Sequence, residues 1–455
     1  MKNATPALAA IGLGTLATAL AQTTVLPALP ALASALHTDR QSVTWTLTAY
    51  LIASAVFTPV IGRLGDLFGR RRLLIAILIV FAAGSVLSAV SDNLGLVLAG
   101  RVLQGAGGGI IPLGVAVARS AFPAERRAHA IGIISAIFGV GTGLGLVLGG
   151  LIVDHTSYTW IFWITAVLAA GSGLAVALAL PSDEARPAGG RLDLAGALLL
   201  GLGVTLPLLA VSRGNEWGWT SGRTLVLLFA GLAVLVLFGL VERRTASPLA
   251  DLRLLTRPAV LVTNITTFLV GIGMFGAFVL VPQLAQAPVS TGYGFGVDAT
   301  RAGLLLAPGS LAMMAGGPIA AILHKRYGGR PTLAAAAGIT ALGMALLGVW
   351  HGNQVLVLAW SFVALVGVGL ALAIIPTMIV GEVPAERAAE AAGVNALVRS
   401  VGSSVGTQIL AGILAAGAVT HERNFTIAFL FSAAATVIAM VAATLIPRAS
   451  ATLRA

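Results

Sequence analysis

Apolar runs of 18 or more residues recur along this chain from end to end, separated by short polar breaks. Each run is long enough to cross the hydrocarbon layer of a bilayer. In lipid every backbone N–H and C=O must find its partner inside the segment, so such runs fold as membrane helices. With the polar breaks read as loops, candidate spans fall at about 8–33, 43–61, 73–90, 94–117, 128–152, 158–180, 193–211, 223–241, 259–286, 301–323, 331–350, 355–380, 388–416 and 424–446. Only 9% of the residues are charged, against about 25% in a soluble domain. No polar block is long enough for a separate soluble domain. The expectation is an all-α integral membrane protein of 14 transmembrane helices, with the lipid bilayer as its first partner.

The basic residues decide which way the chain faces. Alternate loops and tails on one side hold 20 of them and those on the other hold 5, while Arg101 and Arg399 fall inside spans. Short cytoplasmic loops collect Arg and Lys, so both termini are expected in the cytoplasm of a bacterium, around its plasma (inner) membrane. Trp45, Trp160, Trp163, Trp217, Trp219, Trp350 and Trp360 all fall near the opposite ends of spans, as an interfacial aromatic belt requires. The net charge of +11 is scattered over these loops, which argues against a nucleic-acid surface. Ala19-Leu20-Ala21 imitates a signal-peptide cleavage site, but the apolar run continues to about residue 36, so an uncleaved first helix is expected. There is no cysteine, no cluster with metal-ligand spacing and no phosphate-binding glycine loop. No nucleophile–base pair emerges either, and neither an enzyme nor a cofactor is expected.

Residues 62–72, GRLGDLFGRRR, form an island of charge between two apolar runs and are expected to make a tight turn at the cytoplasmic surface. Residues 59–71 have an echo at 318–330, with Pro59, Leu64, Gly69 and Arg71 matching Pro318, Leu323, Gly328 and Arg330 at an offset of 259. Further on, 123–126 (PAER) recurs at 384–387, and Gly132, Gly141 and Gly145 match Gly393, Gly402 and Gly406, all at 261. Spans 1–6 and 9–14 therefore read as two copies of one six-helix unit, with spans 7–8 inserted. This divides the chain into 1–181 (N-terminal six-helix bundle), 182–257 (two inserted helices with linking loops) and 258–455 (C-terminal six-helix bundle). Parallel halves of this kind place a substrate site at their interface near the midplane.

On these residues the chain resembles the major facilitator superfamily, and within it the fourteen-span drug:proton antiporters. GRLGDLFGRRR matches the superfamily's loop signature between spans 2 and 3; residues 98–105, LAGRVLQG, match its span-4 signature; GTGLGLVLGG, 141–150, resembles its span-5 antiporter signature. The resemblance implies the major facilitator fold, a monomer, and efflux of small amphipathic molecules by alternating access, coupled to protons. It also implies that Asp66 docks on the start of span 13 and holds one conformational state, with Gly62, Gly69, Arg70, Arg71 and Glu386 around that latch. The alternative for this loop is a purely topological role.

The departures from the family pattern are as informative. Ala21 stands where the subfamily carries an acid, and Leu146 where the span-5 signature carries proline. All sixteen acidic residues fall in loops or at span ends, Asp154 and Glu382 coming closest to the membrane. Proton coupling then has only Asp66, Asp154 or Glu382 to work with, or has been lost. Arg101 and Arg399 are functional by default as intramembrane charges, the alternative being structural arginines held by carbonyls. Two such cations without an acid partner suit a neutral or anionic substrate, which gives a second functional reading: a facilitator or exporter of neutral or anionic metabolites or lipids without proton coupling. Gln22, Thr23, Tyr50, Gln104, Asn264, Gln283 and Asn395 could line a cavity, with Phe268, Phe275 and Phe278 for stacking; for each, helix packing is the alternative reading.

Overall fold

The computed structural model describes residues 4–121, 124–180, 193–245, 256–383, 388–416 and 420–447. It is helical throughout. The N-terminal part contains α1 (Ala4–Thr23), α2 (Val25–Ala35), the short α3 (Arg40–Val43), α4 (Trp45–Phe68), α5 (Arg70–Val90) and α6 (Leu94–Gln104). A 3-10 turn over Gly105–Gly109 leads into α7 (Ile110–Ala121), followed by α8 (Ala124–His155) and α9 (Thr159–Ala179). A hairpin of α10 (Leu194–Trp217) and α11 (Gly222–Glu242) comes next. The last part holds α12 (Pro258–Gln286), α13 (Ala299–Met313), α14 (Gly316–Tyr327), α15 (Gly329–Val349), α16 (Gln354–Gly381), α17 (Ala388–Leu414) and α18 (Glu422–Leu445).

Twelve of the described helices are long and apolar enough to cross a membrane, and the bent pair α13–α14 makes thirteen. The 24-residue α4, which carries no charged residue from Trp45 to Ile61, is of comparable length.

Three expected spans are broken, each for a local reason. The first stops at Thr24, whose Oγ1 donates to the Leu20 carbonyl, and Pro27 has no N–H to give the Thr23 carbonyl. In the fourth, five residues of 3-10 helix (GAGGG) separate α6 from α7. The tenth bends by 42° at Met314–Ala315, and Pro318 cannot donate to the Met314 carbonyl four residues back.

The expected tight turn over 62–72 is corrected. Gly62 to Phe68 continue α4, α5 begins at Arg70, and Gly69 alone links them, with φ 92° and ψ 142°. Nothing in GRLGDLF forbids helix, so the chain turns only where a residue without Cβ permits that backbone. Gly328, the residue matching Gly69 in the repeat, links α14 to α15 in the same way, with φ 87° and ψ 169°.

The packing repeats as well. In the first part α1 lies against α8 and α9, and α5 against α6 and α9. In the last part α12 lies against α17 and α18, and α15 against α16 and α18. Two seams join the parts, α8 on α13 and α4 on α17. The hairpin packs through α10 on both α17 and α4, where Ile52, Leu200, Val204 and Leu208 are buried beside Val56, Leu397, Val401 and Val405. The Trp45 Nε1 donates to Ser212 Oγ at 2.7 Å and ties the hairpin to the start of α4.

Candidate functional site

The helices alternate in direction, so the bundle has one end at Gly69 and the other at Asp154. Among the described residues, the hydrogen bonds that join the first six spans to the last six stand toward the Asp154 end. Asp154, the residue before the last of α8, accepts from the Ala299 N–H (3.1 Å), the Thr300 N–H (2.6 Å) and Thr300 Oγ1 (2.5 Å). These are donors of the first turn of α13, whose partial positive charge favours a carboxylate. The helix already has its own N-cap, Asp298, which accepts from the Arg301 N–H at 2.7 Å. Asp154 is thus a second cap, brought from across the seam. Two further bonds cross nearby: Gln286 Nε2 donates to the Pro27 carbonyl (3.0 Å) and Gln408 Nε2 to Thr48 Oγ1 (2.6 Å).

Below this clasp the α8–α13 seam runs backbone to backbone. A Cβ on Gly150 would strike the Ala299 carbonyl, one on Gly303 the Leu146 carbonyl, and one on Gly143 would sit 3.2 Å from Ser310 Cβ. In lipid such association depends on close van der Waals contact, which small residues allow.

Arg101 forms the second cluster. It is fully buried, with Nε donating to the Thr46 carbonyl (2.7 Å) and Nη1 to the Ala21 carbonyl (2.8 Å) and Gln104 Oε1 (2.7 Å). Its guanidinium carbon lies 4.6 Å from the Tyr50 ring centroid, a cation–π distance. Gln104 passes the network on to Ser85 Oγ (2.7 Å) and Thr165 Oγ1 (3.5 Å), and the Tyr50 hydroxyl donates to the Thr18 carbonyl (3.3 Å). The Ala21 carbonyl belongs to the last turn of α1, where carbonyls lack helical partners. The break at Thr24 thus leaves a backbone acceptor at Ala21 for the guanidinium.

A third cluster ties α12 to α17: the Asn395 side chain donates to Asn264 Oδ1 and Thr267 Oγ1, both at 2.8 Å, and all three residues are buried. Arg399, one turn further along α17, is partly buried. Among the described residues no acceptor takes its guanidinium protons.

The remaining candidates are dispersed. Thr23 is buried with its hydroxyl on the Ala19 carbonyl, against Gly145 of α8, and Gln22 is partly buried on α1. Gln283 borders a cavity of about 40 Å³ with Thr44, Leu414, Thr420 and Phe425. Phe275 and Phe278 are buried edge to face with centroids 6.0 Å apart, and Phe268 is partly buried. Glu382 follows α16, and its carbonyl accepts from Arg257 Nη1 at 3.5 Å. At the Gly69 end, Arg70 opens α5 and Arg71 Nη2 donates to the Ala177 carbonyl of α9 at 2.6 Å. Gly62 and Asp66 lie in the last turns of α4, but the Asp66 side chain and all of Glu386 lie outside the described residues.

Sequence reasoning missed Thr48 and Gln408, Gln286, Ser85 and Thr165. The signal was present as polar side chains inside apolar runs, but such residues are too many in this chain for one to point to its partner.

The comparisons with known proteins agree with this architecture. The family model described as Major Facilitator Superfamily matches residues 11–407, with a second match over 263–454. An uncharacterized MFS-type transporter of Mycobacterium tuberculosis is 33% identical over 341 residues, 74% of this chain but 48% of the relative, so the match spans about half of that protein's length. The multidrug resistance protein Stp of the same species is 32% identical over 412 residues, 90% of this chain and 75% of Stp. Among solved structures, the xylose transporter XylE of Escherichia coli superposes with a TM-score of 0.64 at 13% identity, over 97% of each chain. With two helix sets packed in one repeated pattern, joined along two seams and matched by the family model over most of its length, the chain belongs to the Major Facilitator Superfamily.

Proposed function

We propose that this chain is a plasma-membrane exporter of amphipathic small molecules that works by alternating access, with protons moving the opposite way. In this reading the fourteen stretches are fourteen spans, both termini are cytoplasmic, and the units are 1–181, 182–257 and 258–455. The name of the relative Stp, a multidrug resistance protein, supports the substrate class.

One observation carries the mechanism: the clasp of Asp154 on the first turn of α13. An alternating transporter needs contacts between its halves that are definite in one state and cheap to break. A carboxylate on three donors at an exposed helix start is such a contact, because water can replace each bond. With the clasp closed and the Asp154 end outward, this conformation is sealed on the outside. The opposite latch, Asp66 with the start of α17 and Arg70, Arg71 and Glu386 nearby, would hold the other state.

The clasp also gives protons a handle. Asp154 must be ionised to accept all three bonds fully, and protonating it removes the charge that the α13 terminus favours. Coupling in this reading runs through a carboxylate at the edge of the membrane.

The second reading, export of neutral or anionic molecules without proton coupling, is favoured by the Arg101 site. There Arg101 is held by the Ala21 carbonyl, which cannot exchange a proton, and among the described residues its hydrogen-bond partners include no acidic side chain. Proteoliposomes with an imposed pH gradient separate the two. Proton antiport predicts substrate accumulation that collapses on adding a protonophore; accumulation that persists rules the antiport out.

A further inference from the structure

The two intramembrane arginines have opposite surroundings. Arg101 is held by two backbone carbonyls, an amide oxygen and an aromatic face, all from its own half. Arg399 shows none of this among the described residues, although it stands inside the apolar stretch Gly393–Leu414 of α17, six residues and about 9 Å along the helix axis from where that stretch begins. A guanidinium at that depth is costly unless something accepts from it. Among the described residues no acidic side chain pairs with it, and on its own helix the closest acid in sequence is Glu390, nine residues and about 13 Å of helix axis away.

Its position on the helix narrows where the charge can go. Asn395, Gly402 and Gly406 face α12, with Gly402 against the Phe268 carbonyl and Gly406 against the Ile272 carbonyl, while Gly271 of α12 lies under the Arg399 carbonyl. The two backbones touch there, so a guanidinium does not fit between them. On the helical wheel Arg399 is offset from this stripe toward Ser400, Ser403 and Thr407. The opposite flank, Leu397, Val401 and Val405, packs on α4 and α10. The charge therefore belongs to the polar flank of α17, and Phe268 of α12, whose backbone lies against Gly402 one turn along, is partly exposed.

We infer that Arg399 binds the anionic end of the transported molecule, which makes the preferred substrate an amphipathic organic anion: an apolar or aromatic body bearing a carboxylate, phenolate or phosphate. The guanidinium fork pairs with such a group in two parallel hydrogen bonds, while the neighbouring aromatic and aliphatic side chains take the body. A lipophilic cation meets repulsion at the same place. This rests on the transport reading above and specifies its substrate.

The test uses three probes on the full-length protein: a fluorescent aryl carboxylate, its neutral methyl ester, and ethidium. Equilibrium binding is measured in detergent and flux in proteoliposomes, for wild type, Arg399→Lys and Arg399→Gln. Wild type is expected to bind the carboxylate at least tenfold more tightly than the ester and to disfavour ethidium. Arg399→Gln should lose that tenfold for the carboxylate with the ester unchanged, and Arg399→Lys should keep part of it. Equal losses for all three probes in Arg399→Gln, or tighter binding of ethidium than of the carboxylate by wild type, would overturn the inference. Carboxylate binding that depends on Arg399 without any flux would leave the site standing and sink the transport reading; ethidium flux with no Arg399-dependent binding would do the reverse.

Discussion

Arg101 shows how a buried charge can be neutralised without an acid. Its donors reach carbonyls 55 and 80 residues away in sequence, at the start of α4 and the end of α1. Replacing it with alanine removes its three hydrogen bonds and leaves Gln104 Oε1 and the Ala21 carbonyl without the guanidinium, at about 1–3 kcal/mol for each buried group. We expect Arg101→Ala to lower the melting temperature of the detergent-solubilised protein by several degrees. Arg101→Lys should fall in between, because an ammonium lacks the planar fork. A melting curve unchanged in the alanine variant would refute the structural role. The sequence made the charge and Gln104 visible but not the carbonyls, because backbone acceptors carry no residue signature. Asp154 was similar: its exposed position near a span end was readable, while its partner lies 145 residues away.

At the scale of elements, each apolar stretch in the sequence lies on helix, because twenty apolar residues in lipid leave the backbone little choice. The breaks were harder to see. Apolarity runs unbroken through Thr24 and through Met314–Ala315, and only the prolines downstream mark the interruptions. The charged island misled in the other direction: polar composition implied a turn, but helix needs only propensity and a free N–H, and both persist to Phe68. The α8–α13 seam offers a direct test. Gly150→Ala places a methyl against the Ala299 carbonyl, while Gly352→Ala has open space around it. The first should cut transport at least tenfold in protein that is still folded and monodisperse; the second should transport like wild type. If Gly150→Ala also transports normally, the seam does not depend on backbone contact there.

For the whole molecule, the clasp sets a balance between conformations. Asp154→Asn keeps the shape and one good acceptor but removes the charge, so it should shift the population toward an open Asp154 end. The chain contains no cysteine. A single reporter such as Ala411→Cys, buried beside the small cavity bordered by Gln283 and Thr44, therefore labels without background. Maleimide labelling of that cysteine should be several-fold faster in the Asp154→Asn background. Equal rates in both backgrounds would mean that the clasp does not govern this end.

The hairpin makes the two flanks of the molecule unequal. By lying on α4 and α17 together, α10 covers one of the two seams along its length, with Leu200, Val204 and Leu208 wedged against it. Among the described residues no comparable hairpin lies on the seam of α8 and α13, which is touched instead by the short α2. A molecule dissolved in the bilayer therefore meets a wall on one side and a parting line on the other. Gly143, Gly150 and Gly303 line that second seam, where only small residues let the two helices meet.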